Sequence, residues 1–220
     1  MPQVSFVMAV GRYDFIQEAI YSITKQSGIE WELLIFNNKG KSCYSKDKRI
    51  RIIDTPNWSP PKCYNEAKRL VKSDYILIAT DDDIWFPERA LVTYCYLING
   101  ADYFAGSCIE FIKETKFKNW IKVKKFNLKW QRRVANQISL PFIGYNRLVV
   151  PDFNEDLKIC YDYLFNLECG LRGLKIETTI MPLGMKRIWK GSLYKSMPKS
   201  TIEKELEIIR QLLNDPEIRK

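Results

Sequence analysis

Three consecutive carboxylates, Asp81, Asp82 and Asp83, follow directly on the apolar run Ile76-Leu77-Ile78-Ala79 and Thr80. Like charges this close resist joint ionisation unless a cation neutralises them. Hard oxygen ligands beside a phosphate-bearing substrate suit Mn2+ or Mg2+, which take few protein carboxylates and keep open positions. The plainer alternative is a solvated acidic turn before the next helix, where acids suit the positive helix end. The chain contains no histidine. That removes Ser-His and Cys-His nucleophilic machinery and leaves carboxylates as the proton acceptors. It also argues against zinc, because the six cysteines lie far apart with no C-x-x-C pair. They read as buried small hydrophobes.

Charge is concentrated. Of a net charge of +9 over 220 residues, residues 113–133 supply most, with nine basic residues against the single acid Glu114. Phe117, Trp120, Phe126 and Trp130 are interleaved with them. A solvated loop with aromatic anchors in the core is the first expectation for this segment. An anionic membrane surface or anionic acceptor comes second, since lysines and tryptophans suit an interface. Nucleic acid comes last, because no known binding module is visible.

The elements that must position the triplet form an alternating series. Residues 4–10 form a continuous apolar run expected of a strand buried on both faces. Asp14 then stands as a candidate cap for an apolar helix face at Phe15, Ile16, Ala19, Ile20 and Ile23. Further strands are expected at 31–36, 49–53 and 75–79, with a turn at Asn37-Asn38-Lys39-Gly40 and helices at 62–71 and 87–98. This order predicts an α/β chain with a mostly parallel sheet flanked by helices. Ligands in such sheets sit at the carboxyl ends of strands, where Asn37 and Asp81–Asp83 fall. The second half is less regular, with a strand at 103–112, a helix at 161–171 and a short strand at 175–180. An amphipathic helix closes the chain, carrying Ile202, Leu206, Ile209 and Leu213 on one face behind the capping box at Ser200. No apolar run approaches the roughly 18 residues that span a bilayer. The opening Met1-Pro2-Gln3 lacks the layout of a secretory signal, so a cytoplasmic protein, with peripheral membrane contact as a variant, is expected.

The triplet within Ile76-Leu77-Ile78-Ala79-Thr80-Asp81-Asp82-Asp83 resembles the D-x-D region of glycosyltransferase family 2, whose members have a Rossmann-like GT-A fold. Val4-Ser5-Phe6-Val7-Met8, with Arg12 and the run 15–26, is similar to that family's first strand and helix. Glu32–Asn38 resembles its second strand, and Asn65-Glu66-Ala67 through Ile76 the run before the D-x-D. Tyr161-Asp162-Tyr163-Leu164, with Gly173 following, resembles its acceptor-side E-D motif. The resemblance implies a metal-dependent transfer of sugar from a nucleoside diphosphate donor, a UDP-sugar first, to an acceptor hydroxyl, with inversion. The acceptor, whether carbohydrate, lipid or protein, stays open. In the family's register Asp82 is the metal ligand, Asp83 a second ligand, Asp81 a contact to the nucleotide and Asp162 the catalytic base. Asp156 and Glu155 compete with Asp162 for that role.

The chain departs from the family at three places. Asn37-Asn38 replace the usual Asp pair that reads the base, so Asn37 is the nucleotide contact here and base specificity is open. Tyr161 replaces the usual Glu before the base. Ala9-Val10-Gly11-Arg12 replaces P-T-Y-N, leaving Arg12, with Lys62, as candidates for the phosphates or for plain surface positions. On this basis residues 1–195 form the GT-A domain, with 1–100 as the nucleotide-sugar half and 101–195 as the acceptor half. Residues 196–220 form a helical tail. A non-catalytic carbohydrate- or nucleotide-binding relative and a metal-dependent nucleic-acid enzyme are the alternatives.

Overall fold

The computed structural model describes residues 1–38, 43–113, 116–133, 136 and 138–214. In chain order the elements are β1 (Val4–Val10), α1 (Ile16–Thr24), β2 (Trp31–Asn37), β3 (Ile50–Asp54), α2 (Pro60–Leu70) and β4 (Tyr75–Ala79). They continue with β5 (Ile84–Trp85), α3 (Arg89–Ile98), β6 (Tyr103–Lys113), β7 (Lys116–Ile121), α4 (Leu128–Arg133) and β8 (Ile143–Asn146). The last are α5 (Tyr161–Leu171), β9 (Ile176–Arg187), α6 (Leu193–Ser196) and α7 (Lys199–Asn214). Part of the expected turn, Lys39-Gly40, and Glu114 lie outside the described residues.

Among the described residues, nine strands make one sheet in the order β3-β2-β1-β4-β8-β6-β9-β5, with β7 paired to β6. The first four run parallel. Strand β8 enters antiparallel to both β4 and β6, and β9 runs parallel to β6. Alternation along each central strand feeds two cores. Val7, Leu34, Phe36, Ile76 and Ile78 join one core with α2, α5 and α7. Phe6, Met8, Leu33, Ile35, Leu77 and Ala79 join the other with α1 and α3. A run apolar at every position is the sequence mark of such double burial.

The helices start where local chemistry allows. Pro60 and Pro61 occupy the first turn of α2 and the Ser59 hydroxyl accepts the Lys62 N–H, so this helix begins two residues before its expected start. Asp14 makes no capping bond to α1, which begins at Ile16 after Phe15. The second half holds more strand than its sequence pattern suggests. Residues 116–121 are a strand rather than a loop, and Phe117, Trp120 and Trp130 stand exposed. Within the basic segment Val123 is buried and Phe126 packs against the first core. Strand β9 continues past Ile180 to Arg187. Its final pairing depends on Gly184, where a Cβ would stand 2.3 Å from the Ile84 carbonyl. That close approach lets β9 pair with β5 immediately after the triplet.

The terminal helix α7 is tied to the start of α5 by a buried carboxylate. Glu205 accepts the backbone N–H groups of Lys158 (2.8 Å), Ile159 (3.0 Å) and Cys160 (2.9 Å), at the amino end of α5. These are charge-assisted bonds at a positive helix terminus, and Ile209 and Leu213 bury beside them in the first core. Glu205→Ala strands the three donors and is expected to cost about 2–4 kcal/mol in denaturant unfolding. Exposed Glu207→Ala should stay within about 0.5 kcal/mol of the parent. Equal effects of the two substitutions would refute the anchor.

Candidate active site

The carboxyl ends of β1, β2 and β3 are level, with Val10 beside Asn37 and Asn37 beside Asp54. Strand β4 ends on the same side, and the triplet follows it by two residues. All three aspartates are buried, and each is held differently. Asp81 Oδ2 accepts the N–H groups of Gly11 (2.9 Å) and Arg12 (2.8 Å), while its Oδ1 accepts Arg12 Nη2 at 2.7 Å. Asp83 accepts the Arg187 N–H (2.8 Å) on one oxygen and the Thr80 hydroxyl (2.7 Å) on the other. Asp82 Oδ2 accepts Trp189 Nε1 at 2.9 Å and lies 3.3 Å from Arg12 Nη1. No described donor reaches Asp82 Oδ1.

Two further arginines surround the triplet. Arg187 donates to the Asp82 carbonyl (3.0 Å) and to Glu18 (2.5 Å), with its guanidinium 3.9 Å from the Phe15 ring centre and 4.6 Å from that of Phe111. Arg89 lies fully buried behind, between the rings of Phe6 and Trp85, and donates to the Ile78 carbonyl. Burial pushes the Arg89 pKa down to about 9, against the attraction of Asp83, so it stays cationic at neutral pH. Burial, then the charge on Asp82, pushes Asp83 up. Burial also raises Asp82, although Arg12 and Trp189 favour its ionised form. For Arg12 burial pulls downward, but Asp81 and Asp82 outweigh it and the pKa rises.

Arg12 and Lys62 both reach this end of the sheet. Arg12 is engaged by the triplet and by the Gly191 carbonyl at 3.1 Å. Lys62 lies over Trp58, 5.0 Å from its ring centre, and Trp58 packs on Phe36. Asn37 is buried, accepting the Tyr13 hydroxyl and donating to Asp54 Oδ1 at 2.7 Å, whereas Asp54 is exposed. Asn38 accepts the Thr55 hydroxyl.

Asp162 stands in the first turn of α5, in a polar network within the first core. Its Oδ2 accepts Asn136 Nδ2 at 2.8 Å and its Oδ1 accepts the Tyr163 N–H at 2.8 Å. Asn136 Oδ1 in turn accepts Asn166 Nδ2 (2.7 Å) and Gln131 Nε2 (3.0 Å), and the Tyr103 hydroxyl donates to Asn166 (2.6 Å). Burial pushes Asp162 up to about 6, opposed by these hydrogen bonds and by the charge of Lys186. Glu155 and Asp156 are exposed.

The sequence pattern does not single out Arg187, Trp189, Asp54 or Asn136. Asp54 ends β3 as Asn37 ends β2, a signal visible only once the strands are in register. Arg187 and Trp189 follow a strand whose expected end was Ile180. Among the described residues no three acidic or cysteine side chains converge as a metal cage. A divalent cation at Asp82 would therefore take most of its ligands from substrate phosphates and water, as Mg2+ and Mn2+ do. Asp82 keeps one hard oxygen that no described donor reaches, whereas each oxygen of Asp83 accepts one protein donor.

Residues 6–157 match the family described as Glycosyl transferase family 2. Among solved structures, S. aureus TarS 1–349 with UDP-GlcNAc aligns at a TM-score of 0.73 and 15% identity, over 97% of this chain and 67% of that one. Its complex with UDP gives 0.69 and 15%, over 97% and 66%. The mannosyltransferase PcManGT from Pyrobaculum calidifontis, in complex with GDP-Man and Mn2+, gives 0.67 and 12%, over 97% and 65%. The shared architecture is the GT-A fold. This chain spans about two thirds of TarS 1–349 and 40% of a longer TarS chain.

Between the ordinary Asp value of 3.8 and about 6, native Asp162 holds a proton that the unfolded chain releases. Its share of native stability is therefore lost as pH rises through that window. Carboxyl-resolved NMR titration should find one aspartate near 6 that disappears in Asp162→Asn. Asn136→Ala, which removes a bond favouring the ionised form, should move that titration upward; a downward shift would contradict the network.

Proposed function

The chain belongs to glycosyl transferase family 2, and from that premise we propose that it transfers a sugar from a nucleoside diphosphate donor to an acceptor hydroxyl, with inversion. The observation that carries this reading is a pairing. A buried aspartate triplet stands at the strand ends, and half-buried Asp162 has its carboxyl pushed up to about 6, suited to accepting a proton at neutral pH. TarS was solved with UDP and UDP-GlcNAc and PcManGT with GDP-Man and Mn2+. A nucleotide-sugar donor and a divalent cation are the corresponding assignments here.

On this reading residues 1–100 carry the donor and 101–195 the acceptor. Asp82 would hold Mn2+ or Mg2+, which when bound supplies Lewis-acid stabilisation of the diphosphate leaving group. Asp81 is fixed by Gly11 and Arg12 and faces the nucleotide. Arg12 and Lys62 add positive charge for the diphosphate. Asn37 holds Asp54 so that the exposed carboxylate offers an acceptor to a base N–H, and UDP is the first donor to test. Asp162 removes the proton of the acceptor hydroxyl as that oxygen attacks the anomeric carbon and the diphosphate departs from the opposite face. The Asn136 amide keeps its carboxylate oriented.

Two substitutions separate binding from chemistry. Asp82→Asn should abolish the Mn2+-dependent part of the thermal shift produced by UDP, while the ligand-free melting temperature stays near that of the parent. An unchanged shift would remove Asp82 as ligand. Asp162→Asn should bind donor nucleotide normally and lose transfer by about 10²-fold or more. In the parent, transfer should decline as pH falls through about 6 and the base takes up its proton. Normal transfer by Asp162→Asn would move the role to Asp156 or Glu155. Absence of transfer by the parent across a panel of UDP- and GDP-sugars would favour a carbohydrate- or nucleotide-binding relative.

A further inference from the structure

Strand β7 is exposed at every position and, among the described residues, pairs only with β6. It mixes lysines with large apolar residues, Lys116-Phe117-Lys118 and then Trp120-Ile121, with Lys122 directly after it. Edge strands are commonly blunted by lysine against pairing with other chains, but that role calls for no exposed aromatic side chains. Here Phe117 is 61% and Trp120 49% exposed. Across β6, strand β9 adds to the same feature. Gly106 pairs with Thr179 and the next residue, Ser107, with Pro182, so Ile180 and Met181 bulge out unpaired. They are 61% and 42% exposed. A shallow groove of about 420 Å³ lies between, lined by Phe117, Lys118 and Trp120 of β7, Ile109 of β6 and Pro182 of β9.

We propose that this face docks on an anionic lipid surface, with Phe117, Trp120, Ile180 and Met181 entering the headgroup boundary and the surrounding lysines meeting lipid phosphates. The inference does not depend on the transfer reaction. Charge complementarity selects the partner. Residues 116–133 contain eight basic residues and no acid, and Lys116, Lys118, Lys122, Lys124, Lys125 and Lys129 are exposed. The neighbouring carboxylates are Glu110, which accepts Asn119 Nδ2 at 3.3 Å, and Glu177 on β9. Lysine stems can lie along apolar surface while their ammonium groups stay in water, and Lys122 Nζ already sits 4.3 Å from the Trp120 ring centre. A nucleic acid would use the cations and the aromatic rings. It gives no role to the aliphatic pair that β9 pushes into solvent, whereas a bilayer boundary does.

The test is co-sedimentation of the full chain with phosphatidylcholine vesicles, with and without phosphatidylglycerol. Pelleting is expected only with the anionic lipid and should weaken with salt. Replacing Lys118, Lys122 and Lys124 by Gln should lower the partition coefficient about fivefold per lysine. Ile180→Ser with Met181→Ser should also lower it, with circular dichroism unchanged because both sites are exposed. Lys199→Gln with Lys204→Gln, on α7, should leave it unaltered. Equal binding to neutral vesicles, no binding at low salt, or indifference to the β7 and β9 substitutions would overturn the proposal. So would binding of single-stranded RNA without binding of vesicles, or a concentration-dependent dimer that buries this face.

Discussion

Three carboxylates withdrawn from water at the end of β4 impose a charge problem that reaches into distant parts of the chain. An isolated buried carboxylate is costly, and three adjacent ones raise one another's cost. The chain answers with cations and N–H groups from separate elements. Arg12 comes from the turn after β1, Arg89 from the first turn of α3, and Arg187 and Trp189 from the end of β9. Each is a charge or dipole that becomes available only when the sheet is assembled. The order β3-β2-β1-β4-β8-β6-β9-β5 is what brings residues more than a hundred positions apart to one strand end.

Division of labour within the triplet follows from those partners. Asp81 braces the turn at Gly11 and Arg12 through both oxygens, and Asp83 braces β9 through its bond with the Arg187 N–H. The middle residue retains an oxygen that no described donor reaches. The triplet lies in the bend between β4 and β5, and its two outer side chains hold separate walls while the middle one sits between them. The outer aspartates thus act as the frame for the inner one.

Much of the first half was legible because it is made of strands buried on both faces. Apolar runs at β4 and, interrupted by the paired Ser5 and Glu32, at β1 and β2 announce such strands, and ligands in such sheets sit at their carboxyl ends. The second half hid its elements for identifiable reasons. Pro182 and Gly184 interrupt β9 in sequence, yet the first sits beside a bulge and the second permits a close backbone approach. Ending the strand at Ile180 left Arg187 and Trp189 without an element to place them. In β7 no clean period-two alternation survives past Lys118, and the lysines of the segment read as solvated loop. Asn136 belongs to no periodic element, and its role as the hub beside Asp162 arises only from tertiary contact. Asp54 escaped notice because one residue of register decides whether it ends a strand or starts a turn.

Strand β9 links the triplet to Asp162. Lys186 contributes to the field at Asp162, while the next residue, Arg187, holds the triplet. A displacement of β9 would therefore disturb the aspartate triplet and Asp162 together. The residue at 187 must meet several demands at once. It donates from Nε to the Asp82 carbonyl and from Nη2 to Glu18, and it lays a flat cation on Phe15 and Phe111. A planar guanidinium satisfies all of these from one position. A lysine ammonium is a point charge on a flexible stem and would satisfy the charge alone. The phenylalanines cover the guanidinium of Arg187, a side chain 6% exposed, whereas its partner Glu18 is half-exposed. Burial that makes the triplet costly also makes its neutralisation effective, and this is why the site can be both charged and enclosed.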